Sequence, residues 1–462
     1  MRVGATLPTL LLTAALAAAQ LPPATTVVSF VGFGAPLDGI LEEAAGGNET
    51  DFAIWAHGQR TFTEVDSLPQ LGPLFNSRSC GACHFQPALG GSGQYINEVR
   101  VRHDTAGGPL HIFAADNLLR ARPQSQAGTT IFPAGLEATP LGCQITDPRC
   151  RWSPCQREEA RRTTFRVGLP LCDPTSTRFL RGANCTAERQ ATPLFGLGLV
   201  EAVGDGTLVA LAASQPAAIR GTVKWVTELG RARVARFGWK DDHATLRAFA
   251  GDAYLNEVGI TNPDFPTDRS ACALGKRRFG VLLDARDDPE DATDADGRAD
   301  VDRFTDFMRG LAPPPALGQT ASAEAGHALF TALGCGGCHV ESLTTDPAPA
   351  SFIPPSTGGV PVSASLAALL AGQTFHPYSD FLLHDVGALG DGITSGAAGP
   401  RLMRTAPLWG VRGKSRFLHD GRAPDLATAV TLHDGQAQAA ATAFRALSAA
   451  QQQSLVDFLN SL

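Results

Sequence analysis

The chain of 462 residues lacks a surplus of positive charge. Its 38 Lys and Arg face 45 Asp and Glu, giving a net charge of −7 and a pI near 5.9. That balance argues against nucleic acid as a partner. Long apolar runs are missing too. Past the N-terminus no stretch approaches about 18 uninterrupted apolar residues, so no membrane span is expected in the mature protein. Strand-like alternation of apolar and polar residues is scarce. Finally, no Cys-x-x-Cys pair lacks a following His, which weakens any case for catalytic thiol chemistry.

What is present centres on two pentapeptides, Cys80-Gly81-Ala82-Cys83-His84 and Cys335-Gly336-Gly337-Cys338-His339. Cys-x-x-Cys-His is the attachment pattern of c-type haem: two thiols add to the haem vinyl groups and the His becomes the proximal iron ligand. At this Cys and His content a single chance match is expected in roughly 0.5% of chains, and two matches make accident negligible. Zinc is the chemical rival, but zinc-binding Cys pairs usually lie close together, each pair needing the other. Here the pairs stand in different halves of the chain, each with its own His. Two covalently bound c-type haems are therefore expected.

The N-terminus agrees. Arg2 precedes an apolar run from Leu7 to Ala19, and Ala17-Ala18-Ala19 supplies small residues for cleavage. Residues 1–19 read as a secretory signal peptide, which implies a periplasmic protein. Six further cysteines, Cys143, Cys150, Cys155, Cys172, Cys185 and Cys272, are then candidates for disulfides of unassigned pairing. Five of them fall in a Cys-rich excursion at about 110–190.

An approximate internal repeat organises the rest. FNSRSCGACH (75–84), TPLFGLG (192–198) and FGWKDDHATLRAFA (237–250) recur in order as FTALGCGGCH (330–339), TAPLWGV (405–411) and FLHDGRAPDLATAV (417–430). Each set is a haem motif, a Pro-Leu-aromatic-Gly turn, an aromatic hook and an amphipathic helix. Helical spacing runs through 243–257, 301–311, 323–333, 425–433 and 450–461. The expected fold is mainly α: two tandem cytochrome c-like haem domains with long loops, residues 20–312 and 313–462, the first carrying the Cys-rich insertion. The break falls near Pro313-Pro314-Pro315. Asp294, Asp296 and Asp300 faintly resemble a calcium loop, but the far-end ligand is absent and a solvated acidic loop is the better reading.

Haem proteins divide by what fills the sixth iron position. His433 shares the inward face of its helix with Leu426, Ala429 and Val430, which makes it the candidate distal ligand opposite His339. His419 and Met403 are its rivals. For the first haem, Glu257 lies on an apolar stripe with Leu246, Ala250, Ala253 and Tyr254, where an acid needs a partner or a task. Beside an open iron it could move a proton between peroxide oxygens. His103 or His111 could instead close that iron. Trp239, aligned with His419 in the repeat, could relay electrons between haems.

The segments FNSRSCGACHFQ, TPLFGLGLVEAV, RFGWK with NEVGITNP, RTAPLWG and FLHDGRA closely resemble the bacterial di-haem oxidoreductase family, whose members are described as peroxidases or thiol oxidoreductases. That family is related to di-haem cytochrome c peroxidases. The resemblance covers most of residues 30–462 and is weakest over 110–190. It implies a peroxidase fed by a small redox protein, such as a c-type cytochrome or cupredoxin, and reducing hydrogen peroxide with two electrons. It also implies a catalytic acid at Glu257, while the position of a Gln in the peroxidases is Phe249 here. Where the peroxidases place a distal Met, this chain has His433, a change that would lower the potential of that haem. Their calcium-binding Thr-x-Pro is replaced by Lys414-Ser415-Arg416, which argues against that ion. Two other functions fit the same motifs: an electron carrier with both irons capped, and a di-haem oxidase or oxygenase acting on an organic or protein substrate.

Overall fold

The computed structural model describes residues 32–40, 50–66, 79–93, 96–105, 108–110, 117–121, 130–132, 185–258, 260–266 and 292–462. The expected signal peptide lies outside these residues, as do Cys143, Cys150, Cys155, Cys172, Cys272 and His111. Of Cys185 and His103 only the strand backbone is described. Among the described residues, no helix is long and apolar enough to cross a membrane.

Helices dominate, and they fall into two sets built the same way. A leading helix, Asp51–Thr63, is capped by Thr50, whose hydroxyl accepts the Ala53 N–H at 3.0 Å. Its counterpart, Ala321–Ala332, is capped by Thr320, which accepts from Ala323 at 3.2 Å. Such caps satisfy N–H groups that have no partner within the helix. Each leading helix crosses a later one, Asp300–Gly310 in the first set and Ala449–Ser461 in the second. Both crossings are set by a glycine. A Cβ on Gly58 would stand 2.3 Å from the Arg303 carbonyl oxygen, and one on Gly326 would stand 1.9 Å from that of Ser454. Four residues beyond each glycine, Phe62 packs on Phe307 (ring centroids 4.9 Å apart) and Phe330 on Phe458 (5.3 Å).

The hooks match in backbone detail. Phe237 N–H donates to the His243 carbonyl at 2.9 Å, and Phe417 N–H donates to that of Ala423 at 3.0 Å. The residue after each Phe is left-handed: Gly238 with φ 80° and Leu418 with φ 68°. Glycine takes that conformation freely, whereas at Leu418 the hook must hold a side chain there against its preference. Thr245 and Asp425 then cap the helices Leu246–Ala253 and Leu426–Thr431. The Pro-Leu-aromatic-Gly turns agree as well, with Gly196 at φ 70° and Gly410 at φ 64°.

Two apolar cores result. One contains Trp55, Phe62, Leu194, Phe237, Leu246, Phe304 and Phe307, but also draws Leu343, Ile353, Phe381 and Trp409 from beyond the Pro313 break. The other gathers Phe330, Tyr378, Phe417, Leu426, Phe444 and Phe458. One element departs from the expected scarcity of strands. Ile96–Thr105 pairs antiparallel with Gly108–Leu110, Asn117–Ala121 and Cys185–Gln190, and Thr130–Phe132 extends the sheet. Val99 and Val101 alternate with Glu98, Arg100 and Arg102 in the first of these strands. That period is correct for a strand but too short to stand out among helical segments. The sheet delivers Arg189 and Gln190 to the site described next.

Candidate haem centres

Cys80–Ala82 and Cys335–Gly337 each form a single 3₁₀ turn. In both turns the His N–H bonds to the carbonyl of the first Cys, His84 to Cys80 at 3.2 Å and His339 to Cys335 at 3.0 Å. The two pentapeptides are thus the same local structure.

The first turn opens into a cleft of about 1190 Å³. Cys80, Cys83 and His84 line it together with Trp239, His243, Phe249 and Glu257. Burial, reinforced by the Glu257 charge, pushes the Cys83 thiol up to about 12. Burial raises Cys80 further still, with Asp66, Cys83 and Glu257 adding to it. Thiols held this way are poor nucleophiles, so the pair is not set up for disulfide exchange. His84 Nδ1 donates to the Gly91 carbonyl at 3.1 Å, and burial holds the ring neutral, at about 4. A neutral imidazole braced through one nitrogen by a backbone carbonyl is the usual form of a metal-ligating His.

Glu257 sits on a widened turn, Tyr254–Val258, in which the hook helix changes from α to π geometry. π-turns recur at functional sites because the extra residue re-aims the side chains that follow. Even with this change Glu257 lines the cleft, half-buried and close enough to both thiols to act on them electrostatically. Trp239 forms part of the hook that leads into this same helix. Its indole N–H donates to the Gln190 carbonyl at 2.8 Å, and its ring meets His419 edge-on at 6.1 Å. His419 is buried against Trp239, so this rival for the second iron packs at the seam between the two hooks.

The second centre is built differently. His339 Nδ1 donates to the Tyr378 carbonyl at 2.9 Å, and His433 Nδ1 donates to that of Ala429 at 2.7 Å. Both rings are kept neutral, His339 at about 4 through burial and the neighbouring His433, and His433 below its usual value through burial. Their centroids are 6.4 Å apart with the planes inclined by 56°. A metal–imidazole bond is about 2.0 Å, so two rings sharing one metal would have centroids roughly 6 Å apart. The residues present therefore fit an iron held between two imidazoles. Gln215 braces this turn by donating to the Gly337 carbonyl at 2.8 Å and to Asp380 at 2.7 Å. Asp380 in turn holds His384 at 2.8 Å, and His384 Nδ1 lies 3.4 Å from Cys338 Sγ. Met403, the other rival, sits in the strand Leu402–Arg404 with its backbone paired to His384.

One cleft residue escaped the sequence reading. His243 lies between Asp252 (3.2 Å from Nε2) and Glu228 (3.7 Å from Nδ1). Burial opposes its charge, but the two carboxylates outweigh it and raise the ring to about 10. Its position in the hook matches Ala423, so the repeat gave no signal for it. In the acidic loop Asp294 and Asp296 both clasp Arg303, each at 2.5 Å, and together with His57 they stand close enough to hold a metal ion.

A helix-rich chain with two such turns, each presenting a braced, neutral His, belongs to the di-haem class of proteins. The family described as "Di-haem oxidoreductase, putative peroxidase" matches residues 174–462, and the chain belongs to that family. No curated protein matches it. Among solved structures, a xenon-pressurised hydrazine synthase of Kuenenia stuttgartiensis aligns over 96% of this chain and 100% of its own. The identity is 13% and the TM-score 0.34, too low to carry an argument about fold.

Proposed function

We propose that the chain is an exported di-haem c-type oxidoreductase that reduces hydrogen peroxide, with a small redox protein as electron donor. Cys80 and Cys83 would hold one haem with His84 as its axial ligand, and Cys335 and Cys338 the other with His339 and His433. When bound, the haems supply electron storage and the iron at which the oxygen–oxygen bond is cleaved. The supporting observation is the difference between the centres. One pairs two imidazoles 6.4 Å apart, while the other opens its His onto a large cleft walled by a carboxylate.

Within that cleft Glu257 is the group suited to taking a proton from one peroxide oxygen and returning it to the other. Charged His243 keeps the wall polar, and Trp239 bridges the cleft to His419 across the seam. Electrons would pass inward along that contact.

Peroxide turnover of the two-haem protein, compared with Glu257→Gln, tests the reading. Loss of a general acid–base typically costs about 10²–10⁴-fold in kcat. Turnover within a few-fold of the parent protein would remove Glu257 from the chemistry. The electron-carrier reading keeps one observation in its favour: Met308 also lines the first cleft and could cap an iron there.

A further inference from the structure

A second cleft, of about 640 Å³, adjoins the first and shares Thr192, Gly238, Trp239 and Phe249 with it. Its walls are largely apolar, with Pro193, Phe195, Phe237 and Pro407 prominent, but its charged residues are both cations, Arg404 and Lys414. Among the described residues no carboxylate lines it. Lys414 is half-buried, and its ammonium has neither hydrogen bond nor ion pair among the described residues. Burial, and after it the neighbouring Arg404, pushes the ammonium down to about 8. Trp409, another lining residue, is 7% exposed and its indole N–H has no partner among the described residues.

Arg404 is better satisfied, mostly by uncharged groups, although the carboxyls of Asp241 and Asp380 also act on its charge. Its Nε donates to the Gly238 carbonyl at 2.8 Å, its Nη1 to that of Thr405 at 3.2 Å, and its guanidinium lies over the Phe381 ring at 5.5 Å. The acid beside it is Asp241, 3.8 Å away. Burial drives that carboxyl well above the usual range, against the opposing pull of Arg404 and Lys224. Two cations and a vacant donor in an apolar cleft are costly unless an anion answers them.

We propose that this cleft binds a carboxylate, with Lys414 and Arg404 as its counter-charges. Two sources have that chemistry: a propionate arm of the haem in the adjoining cleft, or a free small organic acid. The site does not depend on whether peroxide is the oxidant.

Redox titration of the two-haem protein, with and without sodium acetate at matched ionic strength, tests this on the parent chain, Lys414→Gln and Lys414→Arg. If the carboxylate is a propionate, Lys414→Gln shifts one haem to lower potential, because an uncompensated negative charge favours the ferric state. Lys414→Arg then restores the parent value and acetate has no effect. If the carboxylate is free, acetate gives a saturable spectral shift in the parent chain and Lys414→Arg that Lys414→Gln loses. The proposal is overturned by unchanged potentials with no acetate response. An equal acetate response in the parent chain and Lys414→Gln overturns it too, as does a potential shift that Lys414→Arg fails to reverse.

Discussion

Replacing Glu201 with Gln tests how the first centre is held in place. Glu201 is fully buried and its carboxylate makes three bonds: to Arg309 Nε at 2.7 Å, to Arg309 Nη2 at 3.3 Å and from the Leu246 N–H at 2.8 Å. One side chain thereby ties the turn Leu197–Glu201 to the end of the crossing helix and to the first turn of the hook helix that leads to Glu257. Gln is nearly isosteric, so no cavity opens. It turns an N–H group toward a guanidinium whose side chain is 6% exposed, and it leaves that charge unpaired. Breaking one partner of a buried pair costs about 3–5 kcal/mol. A domain usually has about 5–15 kcal/mol in all. Urea denaturation of the two-haem protein, followed by circular dichroism, should show a midpoint lowered by that amount divided by m. Arg401→Ala is the control, since Arg401 and Asp385 meet at 2.9 Å but are 60% and 40% exposed. Screened pairs of this kind are worth under about 1 kcal/mol. If Glu201→Gln and Arg401→Ala lose the same small amount, Arg309 is reached by water and the anchoring argument is wrong.

The remaining predictions are briefer. Gly326→Ala forces a methyl into the Ser454 carbonyl, a backbone atom that cannot swing aside, and should cost about 1–3 kcal/mol or more by denaturant midpoint. A neutral result would show that the helices can separate freely. For His243, burial opposes its charge but Asp252 and Glu228 prevail, so its folded pKa of about 10 exceeds the unfolded value near 6.5. Its stabilisation is complete below about 6.5 and is lost as pH rises toward 10. Between pH 7 and 10 the parent chain should therefore lose stability more steeply than His243→Gln, whereas parallel curves would mean a neutral ring.

Much of the site was legible because attachment chemistry imposes local spacing. Cys80, Cys83 and His84, and their counterparts Cys335, Cys338 and His339, must be near neighbours in sequence to act together. The hooks were legible for a related reason: Phe237 and Phe417 each close a loop on a residue six positions later, and Thr245 and Asp425 each cap a helix in register. The periodicity of a helix face was enough to place His433 on the side that faces His339. What escaped was either long-range or a change of period. Gly58 and Gly326 hold equivalent crossings, but their distances from the haem motifs differ, so aligning the motifs did not align the glycines. The π-turn at Tyr254–Val258 leaves no residue pattern of its own. His243 owes its charge to Asp252 one helix turn or more away and to Glu228 on a hairpin, and only the folded chain brings those carboxylates together. Lys414 read simply as a departure from a calcium-binding pattern, and its lack of a counter-charge became visible once the cleft around it was formed.

The most direct test of the account is low-temperature electron paramagnetic resonance of the oxidised two-haem protein, repeated on His433→Ala. The account predicts one low-spin ferric signal from the His339–His433 centre and one high-spin signal from the His84 centre. Only the low-spin signal should vanish in His433→Ala. Two low-spin signals in the parent protein, both surviving that substitution, would contradict it.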